Sequence, residues 1–252
     1  MGEKMILLKS KDELAIMREG GLILAAIMER LKSIIKSGIT TAEIDSFAED
    51  LIRQEKAIPA FKGYRDYPAT TCTSINYVVV HGIPGAKKLE DGDIISIDLG
   101  LSYKNFFSDA AFTVGVGKID SKAKKLIEVT RDSLNEGIKA AKPNNRLGDI
   151  SHAVQKHVEK NGFSVVRQFV GHGIGRNLHE EPELPNFGRP GKGEVIKPGM
   201  VLAIEPMVNM GTWECEILED GWTAVTSDKK LSAHFEHTVA ITEKGPEILT
   251  KL

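Results

Sequence analysis

Four acidic residues and one histidine carry the chemistry open to this sequence. Asp98 closes the apolar run Ile94, Ile95, Ser96, Ile97, and Asp109 follows Asn105, Phe106 and Phe107. In an antiparallel hairpin with a two- or four-residue loop, opposed residues lie an odd number of positions apart and face the same way, a rule this pair satisfies. Aspartate is depleted in strands and costly to bury, so two of them side by side in apolar surroundings require a cation between them. On this stretch alone, a pair of rim aspartates at a hairpin end is the alternative. The pattern returns later in the chain. Gly92 stands six residues before Asp98 in GDIISID, and Gly199 stands six before Glu205 in GMVLAIE. Each strand has an acidic partner, DAAFTV from Asp109 and EHTVAI from Glu236, and the Glu205–Glu236 separation is also odd.

Four carboxylates in one pocket carry four negative charges, and without a cation some must stay protonated. One divalent ion leaves two charges uncompensated, whereas two ions balance all four, so a dinuclear centre is favoured. Carboxylates bridge ions about 3.5 to 4 Å apart, the spacing that clamps a water or hydroxide for hydrolysis. His172 offers an imidazole, because the glycines of HGIG let the backbone come close. Such a donor set is mostly oxygen and therefore hard, suiting Mn, Fe or Co better than a structural zinc.

The elements that must hold these groups can be read from periodicity. Ser10 with Glu13 forms a capping box ahead of Leu14, Met17, Gly21, Leu24, Met28, Leu31 and Ile35, which predicts a helix over residues 11–36. Thr40 with Glu43 repeats the signal for a second helix ending near Glu55. Residues 121–141 and 147–161 are the third and fourth helices, the last stopped by Gly162. Residues 70–81, the Asp98–Asp109 hairpin, and residues 165–170, 200–210 and 232–242 read as strands, with a hairpin around Asp220 and Gly221. Residues 183–199, rich in Pro and Gly, read as loop. The helix over 40–57 aligns with that over 146–163, HGI follows each (His81 and His172), and the carboxylate strands come next. Four matches in one order imply two duplicated halves, residues 11–116 and 121–243, facing each other across an approximate twofold axis; chance likeness of two αβ units is the competing explanation.

Composition narrows the classes. Lys+Arg 33 against Asp+Glu 35 gives a formal charge of -2 with no long run of either sign, which argues against a nucleic-acid or membrane-surface partner. No apolar stretch is long enough to span a bilayer and the N-terminus lacks a leader's apolar core, so a cytoplasmic protein is expected. Cys72 and Cys215 read as free thiols.

Asp98, Asp109, His172, Glu205 and Glu236, set in SIDLG, SDAAF, GHGIG, AIEPM and HFEHT, resemble the ligand pattern of the type I methionine aminopeptidases. The likeness spans essentially the whole chain and is to the short bacterial form, with no zinc-binding extension before the first helix. It implies an α+β pita-bread fold, one catalytic domain over residues 1–252, in which two pseudo-twofold halves surround a curved, mostly antiparallel sheet. It also implies removal of the initiator methionine from nascent chains with a small second residue. The family's pattern assigns Asp98 to one metal, makes Asp109 and Glu236 bridges, and gives His172 and Glu205 to the other metal. A bridging hydroxide would attack the scissile carbonyl, with Glu205 as proton shuttle. His81 and His179 match the two non-ligand histidines, near the leaving amine and the scissile carbonyl.

The implied cofactors are two divalent ions (Co, Mn, Fe or Zn) and one monovalent cation (Na or K), the latter held around Asn76, Val78 and Ser232. Tyr64, Tyr67, Cys72 and Trp222 match the methionine pocket, with a core or hairpin-packing role as the plain alternative. Phe61 replaces a smaller residue and Leu178 an aromatic, so the pocket's shape departs from the family's. Tyr77 is expected to face solvent. The implied partners are the N-terminal methionine of nascent polypeptides and the ribosome exit region, with the chain a monomer. A proline-specific dipeptidase of the same fold is the enzymatic alternative, although such enzymes usually carry an N-terminal domain. A non-catalytic pita-bread binding protein is the other alternative, and it is expected to have lost ligands that are all present here.

Overall fold

A computed structural model describes residues 5–252; the first four residues of the N-terminal stretch read above lie outside it. Four helices start where side chains satisfy the first orphan N–H groups. In α1 (Lys11–Ile34) the Ser10 hydroxyl accepts from the Glu13 amide while the Glu13 carboxylate accepts from the Ser10 amide. Thr40 and Glu43 do the same for α2 (Thr41–Gln54). Asp120 caps α3 (Ser121–Ala140), and the Asp149 carboxylate ties back to the Arg146 amide at the start of α4 (Leu147–Lys160). Each helix buries one stripe, such as Met17, Leu24, Ile27, Met28 and Leu31 of α1.

Those stripes cover one face of a nine-stranded sheet whose pairings are antiparallel. Its centre runs, side by side, through Ile94–Tyr103, Phe106–Gly115, Glu236–Thr242, Val201–Ile204 and Val170–Gly173. Period-two alternation divides the labour in each strand. Ile95, Ile97, Leu99 and Leu101 pack with Ala110 and Phe112 against α1 and α2. Leu202, Ile204, Val239 and Ile241 pack with Leu134, Ile138 and Ile150 of α3 and α4. The residues between them, Asp98, Asp109, Ala203 and Glu236 included, face the other way. The two halves therefore repeat one plan, a helix pair outside and a carboxylate-bearing strand pair inside.

Several expected strands are interrupted. Residues 70–81 divide into Thr71–Ile75 and Val78–Val80, because Asn76 turns with φ 56°. Residues 165–170 form no continuous strand; Ser164–Val165 and Val170–Gly173 flank an irregular stretch. Glu180–Pro185 enters the region expected as loop. Residues 200–210 break after Ile204, where Pro206 cannot donate to a ladder, and residues 232–242 break at Phe235, whose amide donates to the Pro206 carbonyl at 3.3 Å. Cys72 and Cys215 are free. Among the described residues no helix is long and apolar enough to cross a membrane.

Candidate metal centre and substrate cavity

Four of the candidate ligands lie on strands, Glu205 follows directly on the end of a fifth neighbouring strand, and the five fall on two rungs of the sheet. On the first rung Asp98 pairs with Ala111 and Ala111 with Glu236. The His237–Ile204 register, carried one residue beyond the strand end, brings Glu205 opposite Glu236. Two residues along on the same face, Gly100 pairs with Asp109, Thr238 with Ala203, and Ala203 with His172. Ala111 on the first rung and Gly100 and Ala203 on the second have small side chains that leave room beside the acidic and imidazole groups. Asp98 and Asp109 share a face, but they are diagonal neighbours, not the directly opposed pair that the hairpin argument allows. The reason is the turn: Lys104 and Asn105, with φ 49° and 64°, make a two-residue loop that sets Asp98 against Ala111.

Local packing fixes these groups. The Asp109 amide donates to the Thr238 hydroxyl at 2.9 Å, and that hydroxyl donates to the Asp109 carbonyl at 2.8 Å. A Cβ on Gly171 would stand 2.4 Å from the Ala203 carbonyl oxygen, and one on Gly173 2.2 Å from that of Glu181, so only glycine lets the His172 backbone lie this close. Asp109, His172 and Glu236 bring ligand atoms within 4.8 Å of one another, and so do Glu205, His234 and Glu236. The His172 Nε2 to Glu205 Oε1 separation is 3.5 Å.

The electrostatics match a cation-binding cluster. Burial, then neighbouring carboxylates, pushes Asp98, Glu205 and Glu236 well above the usual carboxylate range. Burial raises Asp109 to about 7, partly offset by the Ala110 amide and by Asp98. Among the described residues no lysine or arginine forms an ion pair with any of the four, and Asp98 Oδ1 and Glu236 Oε1 are buried without a hydrogen-bond partner. Carboxylates so placed are compensated by protons or by metal ions. Burial lowers His172 to about 3, which keeps its nitrogen free to bind a metal. The donor set therefore fits divalent ions.

Above this floor lies a cavity of about 150 Å³, which the sequence candidates line together: Phe61, Tyr64, Tyr67, Cys72, Leu178 and Trp222 as wall, His81 and His179 beside the carboxylates. The cleft of about 560 Å³ between α1 and α3 is larger but lies on the helix side of the sheet, behind the first-rung residues Ala111 and Glu236. Tyr67 packs edge-on against Trp222 at 5.1 Å, and burial pushes the Cys72 thiol upward. His81, in a left-handed conformation with φ 61°, meets Phe169 edge-on at 5.3 Å, and burial lowers it to about 4. His179 stands at the mouth, 4.3 Å from the His172 ring, with Nδ1 2.9 Å from the Tyr64 hydroxyl. Its surroundings and then the Arg65 charge favour its neutral form.

Sequence reasoning missed Arg65, which lines the cavity, Phe169, and His234. His234 stands two residues before Glu236, across the strand break at Phe235. Asn76 and Ser232 meet through the Ser232 amide and the Asn76 carbonyl at 2.8 Å, and Val78 lies two residues further along. The Asn76 side chain is taken up by Asp93 and Ile94. Tyr77 is 43% exposed under the Lys229 ammonium.

Comparison with known proteins agrees with this geometry. Residues 15–243 match the model of metallopeptidase family M24. Over 98% of its length the chain is 56% identical to the methionine aminopeptidase of Clostridium perfringens, covering 99% of that protein. It is 54% identical to methionine aminopeptidase 1 of Bacillus subtilis, covering 100% of it. The crystal structure of the methionine aminopeptidase from Thermotoga maritima superposes with a TM-score of 0.97 at 46% identity, over 98% of this chain and 100% of that one. The prolidase from Pyrococcus furiosus shares the fold at 26% identity and a TM-score of 0.80, with 65% of its chain covered. The fold is thus the α+β pita-bread fold of these enzymes. The chain belongs to metallopeptidase family M24 and, within it, to the methionine aminopeptidases.

Proposed function

We propose that this chain hydrolyses the bond after the N-terminal methionine of nascent polypeptides with a small second residue, at a centre of two divalent ions. One observation carries the reading. Five potential ligands converge from four strands and the end of a fifth beside them, directly beneath an apolar cavity too small for a drug-sized ligand and suited to one unbranched side chain. Asp98, Asp109, His172, Glu205 and Glu236 would hold the ions. Bound divalent metal supplies a water acidic enough to act as nucleophile near neutral pH and polarises the scissile carbonyl. Four carboxylates with one imidazole favour Mn, Fe or Co as the metal.

The remaining work falls to side chains. Phe61, Tyr67, Cys72, Leu178 and Trp222 take the methionine side chain, with aromatic faces and edges available to its sulfur. Glu205, its carboxyl already pushed toward proton uptake, accepts the proton lost by the attacking water and returns it to the leaving amine. Tyr64 engages Nδ1 of His179, which leaves Nε2 to donate to the scissile carbonyl oxygen. His81, neutral near pH 7, faces the leaving nitrogen without adding charge.

A peptide panel tests the function. After chelation the protein should release nothing; with Mn, Fe or Co restored it should release methionine from Met-Ala-Ser and act poorly on Met-Leu. Cleavage of Ala-Pro in preference to Met-Ala-Ser would instead favour the proline-specific activity of the prolidases that share this fold.

A further inference from the structure

We propose that His234 is a protein ligand of the metal centre, which makes it a two-histidine site. The inference rests on reading the carboxylate floor as a metal centre and goes beyond the five ligands assigned above. His234 is 1% exposed, and its Nε2 is buried without a hydrogen-bond partner. A buried imidazole nitrogen with no partner is costly, and such atoms are rare unless an ion or water completes them. This nitrogen points into the acidic cluster: it lies 3.7 Å from Glu205 Oε2, and one ligand atom each from Glu205, His234 and Glu236 lie within 4.8 Å of one another.

Those spacings fit a shared ion better than a direct contact. At 3.7 Å the His234–Glu205 pair exceeds hydrogen-bond length. Two donors each about 2.1 Å from one ion, at angles of about 90 to 120°, stand roughly 3.0 to 3.6 Å apart, close to what is seen. The Glu205 carboxylate has one histidine on each side, Oε1 at 3.5 Å from His172 Nε2 and Oε2 at 3.7 Å from His234 Nε2. The His234 backbone is held as firmly as that of a ligand, its amide donating to the Thr113 hydroxyl at 2.9 Å and its carbonyl accepting from that hydroxyl at 2.8 Å. His234 ends one strand and Glu236 begins the next, on either side of the break at Phe235. A second imidazole shifts the preference of the centre from Mn toward Fe, Co and Zn.

Counting nitrogens on the ion tests this directly. The full chain loaded with Mn(II), unlabelled and with ¹⁵N-histidine, is examined by pulsed EPR for imidazole couplings, beside His234→Gln and His172→Gln. The expected result is two histidine nitrogens in the unsubstituted protein and one in each variant. His234→Gln should also weaken Mn(II) binding in calorimetry by at least the roughly 10- to 100-fold that loss of a supporting partner costs. A single nitrogen in the unsubstituted protein, unchanged by His234→Gln, overturns the proposal while leaving the metal centre intact. Failure of the unsubstituted protein to bind Mn(II) overturns both. Should His234→Gln fail to fold, the count in the unsubstituted protein still decides.

Discussion

Removing metal from this protein should expose a carboxylate contribution to stability that falls as pH rises, and Asp109 sets its size. Its carboxyl is raised from 3.8 to about 7. Between those values the native state keeps a proton that the unfolded chain has lost, so stability is highest below the unfolded pKa and declines up to the native one. At ~1.4 kcal/mol per pH unit over ~3 units, the loss is ~4 kcal/mol, a large part of the 5 to 15 kcal/mol typical of a domain. The buried histidines act in the opposite sense. His172, His81 and His237, lowered to about 3, 4 and 4, add stability as pH rises toward 6.5, and that gain is lost on acidification. A comparison with Asp109→Asn isolates the carboxylate, since the histidines are common to both proteins. Urea unfolding, followed by Trp213 and Trp222 fluorescence between pH 5 and 8 in the presence of chelator, should show the variant gaining on the parent by ~1.4 kcal/mol per pH unit up to about pH 7. The neighbours steepen the trend, because Asp109 also raises Asp98, Glu205 and Glu236. Saturating Mn(II) should reverse it by replacing protons with an ion, adding ~2.7 kcal/mol at a hundredfold excess over Kd. A parent-minus-variant difference that does not change with pH would refute the electrostatic reasoning.

Other outcomes follow from particular contacts. His81→Ala should lower kcat by roughly 10²- to 10⁴-fold with metal content unchanged; loss of metal measured by atomic absorption would contradict its placement outside the ligand set. Gly173→Ala should cost about 1 to 3 kcal/mol in urea unfolding and weaken Mn(II) binding, because its Cβ meets the Glu181 carbonyl oxygen at 2.2 Å. Leu178→Ala, at a site 2% exposed, should destabilise by about 2 to 5 kcal/mol and raise KM for Met-Ala-Ser through the enlarged cavity.

Much of the scaffold was legible because its signals are local. The capping boxes at Ser10 and Thr40 fix helix starts within a few residues, and the repeat of GDIISID as GMVLAIE reveals that two strands do the same job. Strand continuity was less legible. Val78–Val80 and Met207–Asn209 leave the main sheet for small side sheets, a tertiary choice that β-branched composition does not encode. The Asp98–Asp109 spacing gave the shared face but not the register, because the register depends on which residues form the turn. His234 was hidden for a different reason. A histidine before an acidic strand has many ordinary uses, and only the three-dimensional placement of its unpartnered nitrogen against Glu205 gives it a role.

The account rests on carboxylates from both halves gathering closely enough to require a pair of divalent ions. Anomalous diffraction from crystals grown with Mn(II) or Co(II) tests that most directly. Two peaks about 3.5 to 4 Å apart, both reached by Asp109 and Glu236, are predicted. A saturated crystal with no peak between these side chains, or with ions only at the protein surface, would contradict the account.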